Sequence, residues 1–183
     1  MKATEILMSE HRVIERVVAA MDQAALRLEG GETVRPEFFL DAAEFVKGFA
    51  DGCHHMKEEQ VLFQAMVENG LSTREGPVAA MLSEHEQGRA FIRQLREAAL
   101  RLQAGDRSAA SDVTRSARGY AALLQQHIQK EDLVLFPMAD RVIPQEQYDD
   151  VFEGFERVEH EETGEGVHEK YLAMAEALEK ELA

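Results

Sequence analysis

Apolar residues recur along most of the chain at the three-to-four-residue interval that lines one face of a helix, and almost nowhere at the alternate-residue spacing a strand requires. Ile6, Leu7, Ile14, Val17, Val18, Met21 and Leu28 predict a first helix over 3–29, ended by Gly30 and Gly31. Pro36 opens a second, which runs to about Glu68 and closes at Asn69 and Gly70. Pro77 opens a third, to about Ala104. A fourth starts near Asp106 or Arg107 and reaches Phe136, where Pro137 should loosen or end it. Pro144 opens a fifth, and the stretch Thr163, Gly164, Glu165, Gly166 separates it from a last segment, Val167 to Leu182. The pattern predicts an all-α protein: an up-down-up-down antiparallel four-helix bundle over 1–140, with further helices over 141–183 packed on it. The Phe residues at 38, 39, 45 and 49 and the Met residues are expected to be core.

The 183 residues fit one domain, and their 45% apolar and 30% charged composition suits a folded chain. Charge changes the picture more. Thirty-five acidic against 20 basic residues give a net charge of -15, which repels phosphate backbones, so no nucleic-acid partner is expected. Glu5 and Glu10 interrupt the place of a signal-peptide core, and no apolar run approaches the roughly 20 residues that span a bilayer. A cytoplasmic protein with no membrane partner is the expectation, in keeping with the lone Cys53. Oligomeric state is not legible.

The histidines carry the chemistry. With 7 His and 26 Glu among 183 residues, chance places a Glu four residues after a His about once; here it happens with His11 and Glu15, His54 and Glu58, His55 and Glu59, and His127 and Glu131. Such pairs share a helix face. HHMKEEQVLF (54–63) also matches HIQKEDLVLF (127–136), laying His54 on His127, Glu58 on Glu131 and Phe63 on Phe136. In an antiparallel bundle His11, His54, His85 and His127 fall in one layer, roughly 8 to 21 Å from the same end. Four imidazoles and two carboxylates in an apolar interior call for metal ions as partners. His55, Glu59, Glu15 and His160 are read as solvated helix faces, Cys53 as a non-ligand, and Tyr120 as core that could also line the site.

These residues resemble the hemerythrin-like, or HHE cation-binding, family: His11 in SEHRVIE, His54 with Glu58, His85 in SEHEQGR, and His127 with Glu131 in HIQKEDLVLFP. The resemblance covers 1 to about 140. It implies two non-haem irons bridged by Glu58, Glu131 and a solvent-derived oxygen, with O2, NO or peroxide as the small ligand. Two departures stand out. Arg89 occupies the position of a further family His, which implies a vacancy at one iron; and Asp132 beside Glu131 is an alternative carboxylate, as His55 with Glu59 is to His54 with Glu58. If the segment FERVEHEETGEGVHEKY folds back over the bundle, His168, then Glu159, is the candidate for an added ligand. Ferritin-like di-iron proteins need Glu-x-x-His on two helices, and only Glu165 to His168 shows it. Three functions compete: reversible binding of O2 or NO for storage, carriage or sensing; an oxidoreductase that decomposes peroxide or reduces O2 or NO; and a metal-stabilised interaction or iron-handling module.

Overall fold

A computed structural model describes residues 2–164 and 166–182; Glu165, and with it the Glu-x-x-His of the ferritin comparison, lies outside the described residues, as do the side chains of 161–163. The described chain is helical throughout, with no strand. Helix α1 is Ala3–Glu29. Helix α2 spans 36–68 and changes pitch on the way: Pro36–Phe45 is α-helical, Val46–His55 and Glu58–Leu62 are π-helical, and Phe63–Glu68 is α-helical again. Helix α3 is Gly76–Gln103. Helix α4 runs from Ala110–Lys130 through a π-helical Glu131–Leu135 into Phe136–Val142. Tyr148–Arg157 with Val158–Thr163 forms α5, and Val167–Leu182 forms α6.

Of the two outcomes expected from sequence, Pro137 does not end α4; the helix widens to a π-helical pitch over Glu131–Leu135 and continues beyond. Pro137 sits in the first turn of Phe136–Val142, just after the π-helical stretch. The change of pitch there interrupts the regular i to i−4 ladder, and the first turn of the α-helical stretch that follows is a position where a missing N–H is tolerated. The chain turns extended only at Ile143, one residue before Pro144.

The two π-helical stretches at Glu58–Leu62 and Glu131–Leu135 are equivalent under the internal sequence match. Each begins at the glutamate of an H-x-x-x-E pair. The repeated residues therefore encode a repeated local geometry, of the kind that marks functional positions on helices.

Helix α4 packs along α3 and α1, and α2 along α3. Phe38, Phe39, Phe45, Phe49, Leu95 and Tyr120 are among the side chains buried in the larger of two apolar clusters; Leu7, Leu62, Phe63, Met66 and Phe136 help fill the smaller. Burying such side chains contributes about 1.5–3 kcal/mol each before entropy is counted. Helix α6 lies on α1 and α2. Its Tyr171 ring crosses Gly48 so closely that a Cβ there would stand 1.7 Å from the phenol oxygen, which makes glycine a packing requirement of that contact. Arg16 with Glu179 and Arg35 with Glu181 tie the outer edge of α6 back to the rest. No described helix is long and apolar enough to cross a membrane.

Candidate metal centre

Between the two apolar clusters lies a layer of buried polar side chains: His11 from α1, His54, His55 and Glu58 from α2, His85 from α3, and His127 and Glu131 from α4, each at most 5% exposed. Their inward atoms fall into two groups that share Glu58. One consists of His11, His54, Glu58 and Glu131, the other of His55, Glu58, His85 and His127. Glu58 reaches both, with Oε1 3.4 Å from His54 Nε2 and Oε2 3.3 Å from His85 Nε2. Glu131 does the same, with Oε2 3.2 Å from both His11 Nε2 and His127 Nε2 and Oε1 3.9 Å from His85 Nε2.

The outward nitrogen of every ring meets a carboxylate. Nδ1 of His11 bonds Asp132 at 2.7 Å, His54 bonds Glu10 at 2.9 Å, His85 bonds Glu59 at 2.6 Å, His127 bonds Glu84 at 2.9 Å, and His55 lies 3.4 Å from Asp51. Each carboxylate in turn is held by a cation: Asp132 by Arg12, Glu10 by Lys57, Glu84 by Lys130, and both Glu59 and Asp51 by Arg89, at 2.8 and 2.7 Å. Imidazoles whose Nδ1–H is donated outward present the Nε2 lone pair inward, which is the arrangement that orients a metal-binding histidine.

The donor atoms fit metal ions and little else. His11 Nε2, His54 Nε2 and both oxygens of Glu58 and of Glu131 are buried without a hydrogen-bond partner. His85 Nε2 and His127 Nε2 face each other at 3.1 Å while both Nδ1 atoms are committed to carboxylates, so in the neutral rings two lone pairs oppose one another. Adjacent ligand atoms around an octahedral ion with bonds of about 2.1 Å are about 3.0 Å apart, close to the spacings found here. Burial opposes protonation of His11, but its bond to Asp132 and the carboxylate charge of Glu131 nearby prevail and raise it to about 9; in the same way burial is outweighed at His85 by Glu58 and Glu59, which raise it to about 10. His55 goes the other way: burial, then the charge of His85, push it well below its ordinary value, so it stays a neutral donor.

The structure brings together six of the expected residues, His11, His54, Glu58, His85, His127 and Glu131. His55 is not on a solvated face but in the second group. It ends the π-helical stretch Val46–His55 and is buried beside His54. Arg89 lies behind this layer, where it fastens the carboxylates of Asp51 and Glu59 behind His55 and His85, and His55 stands as a third imidazole in the second group. Asp132 lies behind His11 as its Nδ1 partner, whereas Glu131 faces inward. His168 and Glu159 belong to neither group; they lie with Glu10 and Cys53, where the Lys57 ammonium already bridges Glu10 and Glu159. Glu59 proves to be the partner of His85, while Glu15 pairs with Arg12 at the surface. His160 is exposed.

The family model for the hemerythrin HHE cation binding domain matches residues 2–139. The chain belongs to this hemerythrin family. An uncharacterized protein of Mycobacterium tuberculosis and one of Mycobacterium bovis are each 25% identical to it over 180 residues, which is 98% of this chain and 70% of the relative. No solved structure matches. The family match ends at residue 139, so α5 and α6 lie beyond the matched residues, and Glu159 reaches Lys57 from there.

Proposed function

We propose that this hemerythrin-family protein is a non-haem di-iron protein that binds O2 or NO reversibly. The reading takes α1 to α4 as alternately directed helices of one bundle over 1–140, with 141–183 as a helical cover. One group would hold an iron through His11 and His54, the other through His55, His85 and His127, with Glu58 and Glu131 shared between them. The observation that supports it is the set of orphaned inward atoms on the two shared carboxylates, opposed by imidazoles whose outer nitrogens are all committed. Two irons held there would supply reversible coordination of a diatomic gas.

The chain's own residues account for the rest. Two His on one side against three on the other leave the His11 group with fewer protein donors, so a small ligand is expected there. Phe136 stacks on His11 at 5.4 Å between ring centroids, and Phe63 on His85 at 6.0 Å, which keeps bulk water from the layer. Tyr120, a buried hydroxyl that shares a cavity lining with His55, is expected to stay protonated, because burial and the charge of Asp51 both push its ionisation up. A site with few proton donors suits binding better than cleavage of an O–O bond.

The test is optical. Iron-loaded protein should change its visible spectrum when O2 is removed and regain it on readmission, and should respond to NO with simple saturation. Repeated turnover of added peroxide would favour the oxidoreductase instead, and no response to any of the three would favour the iron-handling module.

A further inference from the structure

Helices α2 and α3 enclose a cavity of about 360 Å³ whose lining includes His55 and Tyr120 and whose other end reaches the surface. Its size lies in the range of small-molecule sites, about 300–1,000 Å³. The walls are apolar, formed by buried Ala43, Val46 and Ile92. The rim is not: Lys47, Arg93 and Arg96 line it and are exposed, and among the described residues none of the three is ion-paired. The two acidic lining residues are already engaged, Asp51 by Arg89 and Glu44 by the Tyr171 hydroxyl at 3.5 Å. In a chain of net charge -15, a cavity lined by four cations, Lys47, Arg89, Arg93 and Arg96, against two carboxylates, Glu44 and Asp51, has a local excess of positive charge. At the inner end Tyr120 is 1% exposed, and its hydroxyl has no hydrogen-bond partner.

We propose that this cavity is a binding site for an amphipathic organic anion, with its negative head at Lys47, Arg93 and Arg96 and its apolar body against Ala43, Val46 and Ile92. The body then points toward His55, and a polar acceptor on it would find the Tyr120 hydroxyl. Shape and charge divide the work: the apolar walls supply most of the affinity through buried surface, and the rim selects the sign of the head group. The inference goes beyond gas binding and depends on no metal, so it can fail or succeed separately.

Calorimetric titration of the full chain with decanoate, 1-decanol and decyltrimethylammonium tests it, on iron-loaded and on metal-stripped protein. Decanoate should bind one per chain, with affinity that falls as salt is raised, and at least tenfold more tightly than the alcohol or the cation. The exposed double variant R93E/R96E should lose at least tenfold in decanoate affinity at unchanged helicity, and R93K/R96K should retain it. Absence of saturable decanoate binding, equal binding of the three probes, or an R93E/R96E variant that binds as the parent does would overturn the proposal.

Discussion

The imidazole of His85 stacks on that of His55, with ring centroids 3.9 Å apart and planes 17° from parallel. Stacked imidazoles this close tolerate one positive charge at most. One guanidinium, Arg89, holds the carboxylates behind both rings. The pair thus behaves as a single donor unit assembled from α2 and α3. His55→Ala should remove one donor and lower the iron content from two per chain toward one, leaving the His11 group loaded; elemental analysis of the purified variant checks it. Arg89→Met should keep the fold and weaken metal binding by about 10- to 100-fold, the usual effect of losing an outer partner.

Glu131 and Asp132 separate by position. Glu131→Gln takes away a shared inward carboxylate and should abolish retention of a metal pair. Asp132→Asn leaves the inward atoms intact and removes only the charge behind His11, so both metals should remain with affinity lowered by about 10- to 100-fold. Equal losses from the two variants would show that the assignment of roles is mistaken.

Metal uptake should release protons. His11 raised to about 9 and His85 raised to about 10 are both protonated at pH 7.5 in metal-stripped protein, and each must lose its proton to become a ligand. Apparent affinity should therefore climb as pH rises through 9 toward 10, and titration in a weakly buffered solution with a pH indicator should record net proton release, to which His127, also raised by Glu131, contributes.

Lys57 is buried with its ammonium between Glu10 and Glu159. Lys57→Met would leave Glu10, 5% exposed, as a buried charge held only by His54. A loss of about 3 kcal/mol in denaturant unfolding is expected. Glu159→Gln should lose less than about 1 kcal/mol, because that side chain is partly in water.

Pro137→Ala separates a helix interior from a helix start. An interior proline costs about 3 kcal/mol, so its removal would stabilise the protein by that much. Pro137 begins a new α-helical stretch, and the change should stay within about 1 kcal/mol.

Much of this was legible in the sequence because period and punctuation act locally. The apolar spacing of Ile14, Val17, Val18 and Met21 and the prolines at 36 and 77 mark helices whose limits agree with the structure to a residue or so. The H-x-x-x-E pairs located Glu58 and Glu131. His55 reads as solvated because an ideal α-helix turns neighbours 100° apart, whereas His54 and His55, at the end of the π-helical Val46–His55, are both buried at the junction of several helices. The repeat HHMKEEQVLF was the available signal, since it carries two histidines where its partner carries His and Ile. The carboxylates behind the rings were hidden for another reason: Glu10, Glu59, Glu84 and Asp132 look like ordinary charged helix positions until tertiary packing brings each to a histidine on a different helix.

The central claim is that the layer holds a pair of iron ions. Elemental analysis of the full chain, purified without added metal from cells grown with ample iron, tests it most directly. Two irons per chain, lost together in Glu58→Gln and Glu131→Gln, is the result the account predicts; one metal ion per chain, or none, would contradict it.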